Sequence, residues 1–366
     1  MTQSLIGSDK FELDTPVLCI DREVMEANIR KMADFISSRG KQWRPHMKCH
    51  KSPTVALAQL AAGAIGVTCA KVSEAEVMVE AGIRDVLIAN MIVGARKVER
   101  VVSLCRAAEP IVACDHYAQV EPLAAACRRE GVACRVMIEI NVGMDRVGIR
   151  PGRDTLDLAE GIERLSGVEM VGIMGYEGHL HHVADPMEKR QKIQEAMGVL
   201  EDCRERLLQK GICCDIVSAA GTGSFQITAD QPVVTELQCG GGIFGDPMYR
   251  LQCGLTGFEP ALTVLVTVVS HSMLERAIVD SGRKSINGDV QMPLVKGLPD
   301  AQVVKLSAEH GWLALGPGSY DLKIGDKIEL VVGYADLTTV LHDDFYVFRG
   351  NRLEAVWPIA ARGMAQ

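Results

Sequence analysis

The chain has 366 residues, 48% hydrophobic and 23% charged, which is enough apolar material for a large core and rules out disorder as its main state. Its 39 Lys and Arg against 47 Asp and Glu leave a net charge of -8, which argues against bulk binding to nucleic acid or to anionic lipid, because both need clustered cations. No apolar run reaches the roughly 20 residues that span a bilayer, and residues 1–13 lack the basic-then-apolar pattern of a signal peptide.

The first 240 residues alternate between short Val- and Ile-rich runs and helical patterns. Strands are expected at Pro16–Ile20, Gln42–His46, Gly66–Ala70, Asp85–Asn90, Pro110–Cys114, Arg135–Asn141, Glu169–Gly175, Asp215–Ser218 and Thr235–Gln238. Helices fall between them, among them Arg22–Ser38, Ser73–Ala81 and Glu188–Gln209, and Asp21 is placed to cap the first. About eight such units point to an α/β fold, a parallel TIM-like β/α barrel, over 14–250. From about Leu255 the pattern turns to β: Leu262–Ser270, Ala277–Asp280, Val303–Leu306, Lys327–Val332, Thr338–Leu341 and Phe345–Phe348. A C-terminal all-β domain is therefore expected over 251–366, with 1–13 packed on it. Twelve cysteines without a C-x-x-C pair read as reduced thiols of a cytoplasmic protein, the neighbours Cys213 and Cys214 included.

Barrel enzymes build their sites at the C-terminal ends of strands. The second expected strand leads into Arg44-Pro45-His46-Met47-Lys48-Cys49-His50-Lys51. A lysine crowded by cations and apolar walls gives up its proton more readily, which suits Schiff-base chemistry. Later strands end in Gly221-Thr222-Gly223-Ser224 and in Gln238-Cys239-Gly240-Gly241-Gly242. Small residues there let backbone N–H groups approach an anion, and barrels place phosphate sites after their last strands. Each glycine run alone reads equally well as a turn. Together with the lysine they point to pyridoxal phosphate.

Ordered motifs then extend along the chain: Asp14-Thr15-Pro16, Arg44 to Lys51, Lys71-Val72-Ser73-Glu74-Ala75, Glu139-Ile140-Asn141-Val142-Gly143 leading to Arg146, the two glycine runs, and Trp357-Pro358-Ile359-Ala360-Ala361-Arg362-Gly363. In these the chain resembles the D-threonine aldolase and D-serine dehydratase family of pyridoxal phosphate enzymes, from about Asp14 to Gly363. The resemblance implies an alanine-racemase-like barrel with a C-terminal β domain, and a homodimer. It implies that Lys48 bonds the coenzyme covalently and that Arg146 lies beside the ring. Tyr176 and His182 would line the site, and Thr222, Gly223, Gly240 and Gly241 would hold the phosphate. Gln238 would face the pyridine nitrogen.

One departure concerns the metal. The family's C-terminal domain supplies a divalent metal site through a His-x-Asp or His-x-Cys motif eight residues before a His-Asp pair. Here that pair is His342-Asp343, and eight residues back stands Tyr334, followed by Asp336. A carboxylate without its imidazole suits a transition metal poorly, so no divalent metal is expected. His182 is favoured for acid–base work, since an imidazole titrates near neutrality, with Tyr334 as the other candidate; a metal role for the histidines at 179–182 stays open. The expected activity is retro-aldol cleavage of D-β-hydroxy-α-amino acids to glycine and an aldehyde. Metal-independent racemisation, dehydration and a non-catalytic carrier of the coenzyme are the alternatives. Arg283 or Lys284 could bind a substrate carboxylate; an exposed turn reads equally well there.

Overall fold

The computed structural model describes residues 5–366, and the chain divides into two compact units. One comprises the chain up to Met32, Cys49–Thr54 and Gly241–Gly363; the other comprises Ala33–Lys48, Val55–Gly240 and Met364–Gln366. Strand β1 (Val17–Asp21) and helix α1 (Arg22–Ser37) come first in the chain. Asp21 caps α1 as its position predicts, its carboxylate accepting the Val24 N–H at 3.1 Å.

The second unit is the β/α barrel. Its strands are β2 (Gln42–Trp43), β3 (Val67–Cys69), β4 (Asp85–Ile88), β5 (Glu109–Cys114), β6 (Cys134–Glu139), β7 (Val168–Met174), β8 (Ile216–Ala219) and β9 (Glu236–Leu237). They alternate in the chain with α2 (Pro53–Ala61), α3 (Val72–Glu80), α4 (Ala95–Ala107), α5 (Tyr117–Arg129), α6 (Arg153–Glu163), α7 (Pro186–Gln209) and α8 (Phe225–Thr228). All pairings are parallel, in the order β2-β9-β8-β7-β6-β5-β4-β3. A parallel His46–Thr68 bridge, with Ile65 N donating to Trp43 O and Thr68 N to Pro45 O, joins β3 back to the end of β2 and closes the ring. Parallel strands all point one way, so every loop that follows a strand emerges at one rim.

Side chains two apart on a strand share a face. Leu87, Ile111, Ala113, Met137 and Met174 form one apolar cluster on this sheet. Arg44, Asp85, Arg135 and Glu236 form a charged cluster instead. Arg44 Nε lies 3.1 Å from Glu236 and its Nη1 2.9 Å from Asp85, which also takes Arg135 Nη2 at 2.8 Å.

The first unit is built on a nine-stranded sheet. It contains β1, β10 (Leu262–Met273), β11 (Arg276–Val279), β12 (Leu294–Val295), β13 (Gln302–Leu306), β14 (Gly311–Ala314), β15 (Lys327–Val331), β16 (Asp344–Arg349) and β17 (Arg352–Pro358). The order is β11-β14-β13-β12-β15-β10-β1-β16-β17, and β10 also pairs with β11, so six strands close on themselves. Its core gathers Leu13, Val17, Cys19, Leu265, Phe348 and Leu353.

Three sequence expectations change here. The strand at Pro16–Ile20 is real but belongs to this sheet, antiparallel to β10 and parallel to β16. Its four buried residues carry no sign of which partner they choose, and those partners lie some 240 or more residues downstream. The strand expected at Thr338–Leu341 is instead the end of helix α9 (Ala335–Thr338) and a 3₁₀ turn (Thr339–Leu341). The β-branched run is overruled by its hydroxyls: Thr339 Oγ1 donates to Cys49 O at 2.8 Å, and Thr338 Oγ1 accepts from Asn287 N. Strands β12, β14 and β17 were not anticipated. Of the 1–13 segment, residues 1–4 lie outside the described residues; Leu13 joins the core of this unit.

Candidate active site

Five loops bring chemistry to the C-terminal rim of the barrel. After β2, Lys48 lies in a 3₁₀ turn, Met47–Cys49, its N–H donated to His46 Nδ1 at 3.3 Å. The crowd of cations expected there disperses. Arg44 points into the barrel and is neutralised by Glu236 and Asp85, while His50 and Lys51 belong to the other unit.

After β6, Arg146 stands 4.0 Å from Glu139, and its guanidinium lies 5.4 Å from the centre of the Tyr176 ring. Burial pushes the Glu139 carboxyl up to about 7, which Arg146 opposes and Asp115 reinforces. Glu139, Arg146 and Tyr176 line a small cavity with Ile140, Asn141 and Val142.

After β7, Tyr176 and His181 pack edge to face, ring centres 5.6 Å apart. His182, the histidine favoured from sequence, is exposed. Its neighbour His181 is 7% exposed, and its Nε2 is buried without a hydrogen-bond partner. Burial, helped by the neighbouring Lys189, His182, Lys48 and His179, lowers its pKa to about 3, which favours the neutral imidazole.

After β8 comes the glycine loop, entered at Ala220 with φ +70°. A side chain at Gly221 would meet Tyr176 Cε2 at 2.8 Å, and one at Gly223 would meet His181 Cγ at 2.8 Å. Glycine is thus required for the loop to lie against both rings. Two buried groups hold it there, and neither was singled out from sequence. Glu177 accepts from Ala220 N at 3.3 Å and Thr228 Oγ1 at 2.6 Å; Lys189 Nζ donates to His181 O at 3.0 Å and Gly223 O at 2.8 Å. Glu177, two places before the histidines at 179–182, and Lys189, seven places after them, carry no distinguishing pattern in the sequence, so only folding reveals them.

After β9, Gln238 Nε2 donates to Ser218 Oγ at 2.9 Å, and that hydroxyl donates to Glu236 at 2.7 Å. A side chain at Gly240 would lie 2.1 Å from His46 O, so the two strand ends touch through backbone. Gly241, next in the chain, opens a buried 3₁₀ turn.

Lys48, Arg146, Tyr176, Thr222, Gly223, Gln238 and Gly240 therefore share one rim, with His181 set into it. Tyr334 is on the other unit, capping α9, with its Oη donating to Asp336 at 2.9 Å and its ring edge to face with Tyr249. The Asp246 carboxyl beneath is pushed well above the usual range by burial and accepts from Ala335 N. His342 Nε2 bonds Ser285 O at 2.7 Å, and Asp343 pairs with Arg362. Among the described residues no group of three His, Cys, Asp or Glu side chains is arranged to hold a metal. Arg283 and Lys284 are exposed and paired with Asp289 and Glu309.

Comparison with known proteins matches residues 20–247 to the alanine racemase N-terminal domain and 261–348 to a serine dehydratase domain. The chain is 33% identical over 369 residues to a 3-hydroxy-D-aspartate aldolase of Paracoccus denitrificans (strain Pd 1222), covering 98% of this chain and 95% of the relative. It is 34% identical over 362 residues to a D-threonine aldolase of an Arthrobacter species, covering 98% and 96%. The solved structure of D-threonine aldolase from Filomicrobium marinum superposes with a TM-score of 0.95 at 36% identity, over 99% of both chains.

Proposed function

The chain belongs to the D-threonine aldolase and D-serine dehydratase family of pyridoxal phosphate enzymes, and from that premise we propose that it cleaves D-configured β-hydroxy-α-amino acids to glycine and an aldehyde. The observation that carries this reading is the rim itself: a lysine after β2, an arginine after β6, a tyrosine and a buried imidazole after β7, and a glycine loop after β8. The residues fit the coenzyme. His181 Nε2 is a buried polar atom awaiting a partner, and the loop brings backbone rather than side chains to the rim. Lys48 would hold the coenzyme covalently, and Thr222, Gly223, Gly240 and Gly241 would hold its phosphate. Arg146, Tyr176 and Gln238 would surround its ring. When bound, pyridoxal phosphate supplies an aldehyde that joins to amines and a ring that accepts the electrons released as Cα–Cβ breaks.

The protein's own part is proton transfer and positioning. Exposed His182 accepts the proton of the substrate β-hydroxyl, because burial leaves neighbouring His181, with its pKa at about 3, a weak base near neutral pH. Tyr176 is held by the edge-to-face His181 ring and by Arg146, which fixes where its hydroxyl lies. The donors at Tyr334 and Asp336 do not fit a divalent transition metal, because a phenol already bonded to the carboxylate stands where an imidazole is needed. No step is assigned to a metal. Twelve free thiols support a cytoplasmic location. A homodimer, which the family resemblance implies, is proposed, and sedimentation would test it.

D-Threonine is expected to yield glycine and acetaldehyde, and L-threonine neither. Lys48→Ala is expected to abolish the imine absorbance of bound coenzyme and to cut turnover by about 10³-fold or more. Solvent deuterium at Cα without cleavage would replace this reading with racemisation, and a 2-oxo acid with ammonia would replace it with dehydration.

A further inference from the structure

Glu177 and Lys189 are buried, oppositely charged, and both reach the glycine loop from the segment after β7. Glu177 takes the residue that enters the loop, through Ala220 N, and the end of the helix α8 that follows it, through Thr228 Oγ1. Lys189 takes the loop in the middle, through Gly223 O, and its second bond to His181 O ties the loop to the backbone of the buried imidazole. Burying a charge is costly unless it is paired or hydrogen-bonded. A neutral Gln and Met could fill the same space, so the structure spends two charges on one loop.

We propose that Lys189 and Glu177 are positioning residues for an anion: they clamp the Gly221–Ser224 loop in its binding shape, and the Lys189 ammonium makes the loop electropositive for the coenzyme phosphate. This rests on the proposal that Thr222 and Gly223 hold that phosphate. The carbonyl of Gly223, which would repel an anion, is covered by the ammonium. Glu177 holds the residue before the loop and the end of α8, where its charge is satisfied by an N–H and a hydroxyl.

The test compares pyridoxal phosphate with pyridoxal, which has the same ring and aldehyde but no phosphate. Both are titrated into the coenzyme-free protein and followed by absorbance and tryptophan fluorescence. Lys189→Met is expected to weaken pyridoxal phosphate by at least about tenfold and pyridoxal by less than about twofold, and Lys189→Arg to restore most of the loss. Lys189→Met that binds pyridoxal phosphate like the wild type would overturn the proposal. So would equal loss of both ligands, which marks a loosened fold rather than a lost anion site. If Lys189→Met fails to fold, Lys189→Gln is judged by the same two ratios. A wild-type protein that binds neither ligand overturns the coenzyme reading and this proposal with it, whereas wild-type binding with unchanged variants overturns this proposal alone.

Discussion

Two adjacent histidines, 181 and 182, share a residue type and differ in everything that matters chemically. His182 is in water, whereas His181 is packed on Tyr176 and Gly223. With a folded pKa of about 3 against the ordinary 6.5, His181 refuses in the folded state a proton that the unfolded chain takes between those values. Its contribution is therefore undiminished above pH 6.5 and is lost as pH falls toward 3, at up to about 1.4 kcal/mol per unit. His181→Gln is expected to remove that slope. Urea unfolding at pH 7 and at pH 4.5 should show the wild type losing about 2–3 kcal/mol more between the two conditions than the variant. Equal losses would show that the imidazole accepts a proton in the folded barrel. Which of the two imidazoles is buried is not legible in Gly178-His179-Leu180-His181-His182, because a 3₁₀ turn at Gly178–Leu180 breaks any simple alternation of faces.

At the scale of the strands, a chain of polar contacts runs through the barrel: Gln238, Ser218, Glu236, Arg44, Asp85 and Arg135. Arg44, fully buried, is its hub, and its two carboxylate partners come from β9 and β4. Removing one member of a buried ion pair leaves the other charge stranded, typically at about 3–5 kcal/mol. Arg44→Met is expected to destabilise by that order, measured by equilibrium urea unfolding. A loss under about 1 kcal/mol would mean that water reaches Glu236 in the variant. The same hydrogen bonds couple this hub to the rim. Glu236 accepts from Ser218, so Ser218 must accept from Gln238, and the Gln238 amide is turned by a charge deeper in the barrel.

For the whole molecule, a coenzyme that binds only the folded chain stabilises it by mass action, by about 2.7 kcal/mol at one hundred times its Kd. Pyridoxal phosphate is therefore expected to raise Tm by a few degrees in scanning fluorimetry, and stripping it to reverse the gain. A chelator is expected to leave both Tm and activity unchanged, since Asp336 is already bonded to Tyr334, and His342 and Asp343 to Ser285 and Arg362. Activity lost to the chelator and restored by a divalent ion would show a metal site that these contacts do not reveal.

The alternation of Val- and Ile-rich runs with helical patterns determined the barrel, because local periodicity reports which face of each element is buried. The spacing of Lys48, Arg146, Tyr176 and the Gly221–Ser224 run determined that a lysine, an arginine, a tyrosine and a glycine loop follow separate strands. Only the tertiary structure decided that Pro16–Ile20 joins the antiparallel sheet, that Arg44 turns inward, and that Glu177 and Lys189 grip the glycine loop. Those outcomes depend on partners tens to hundreds of residues away. Burial and charge pairing are properties of the assembled neighbourhood, and no window of consecutive residues contains them.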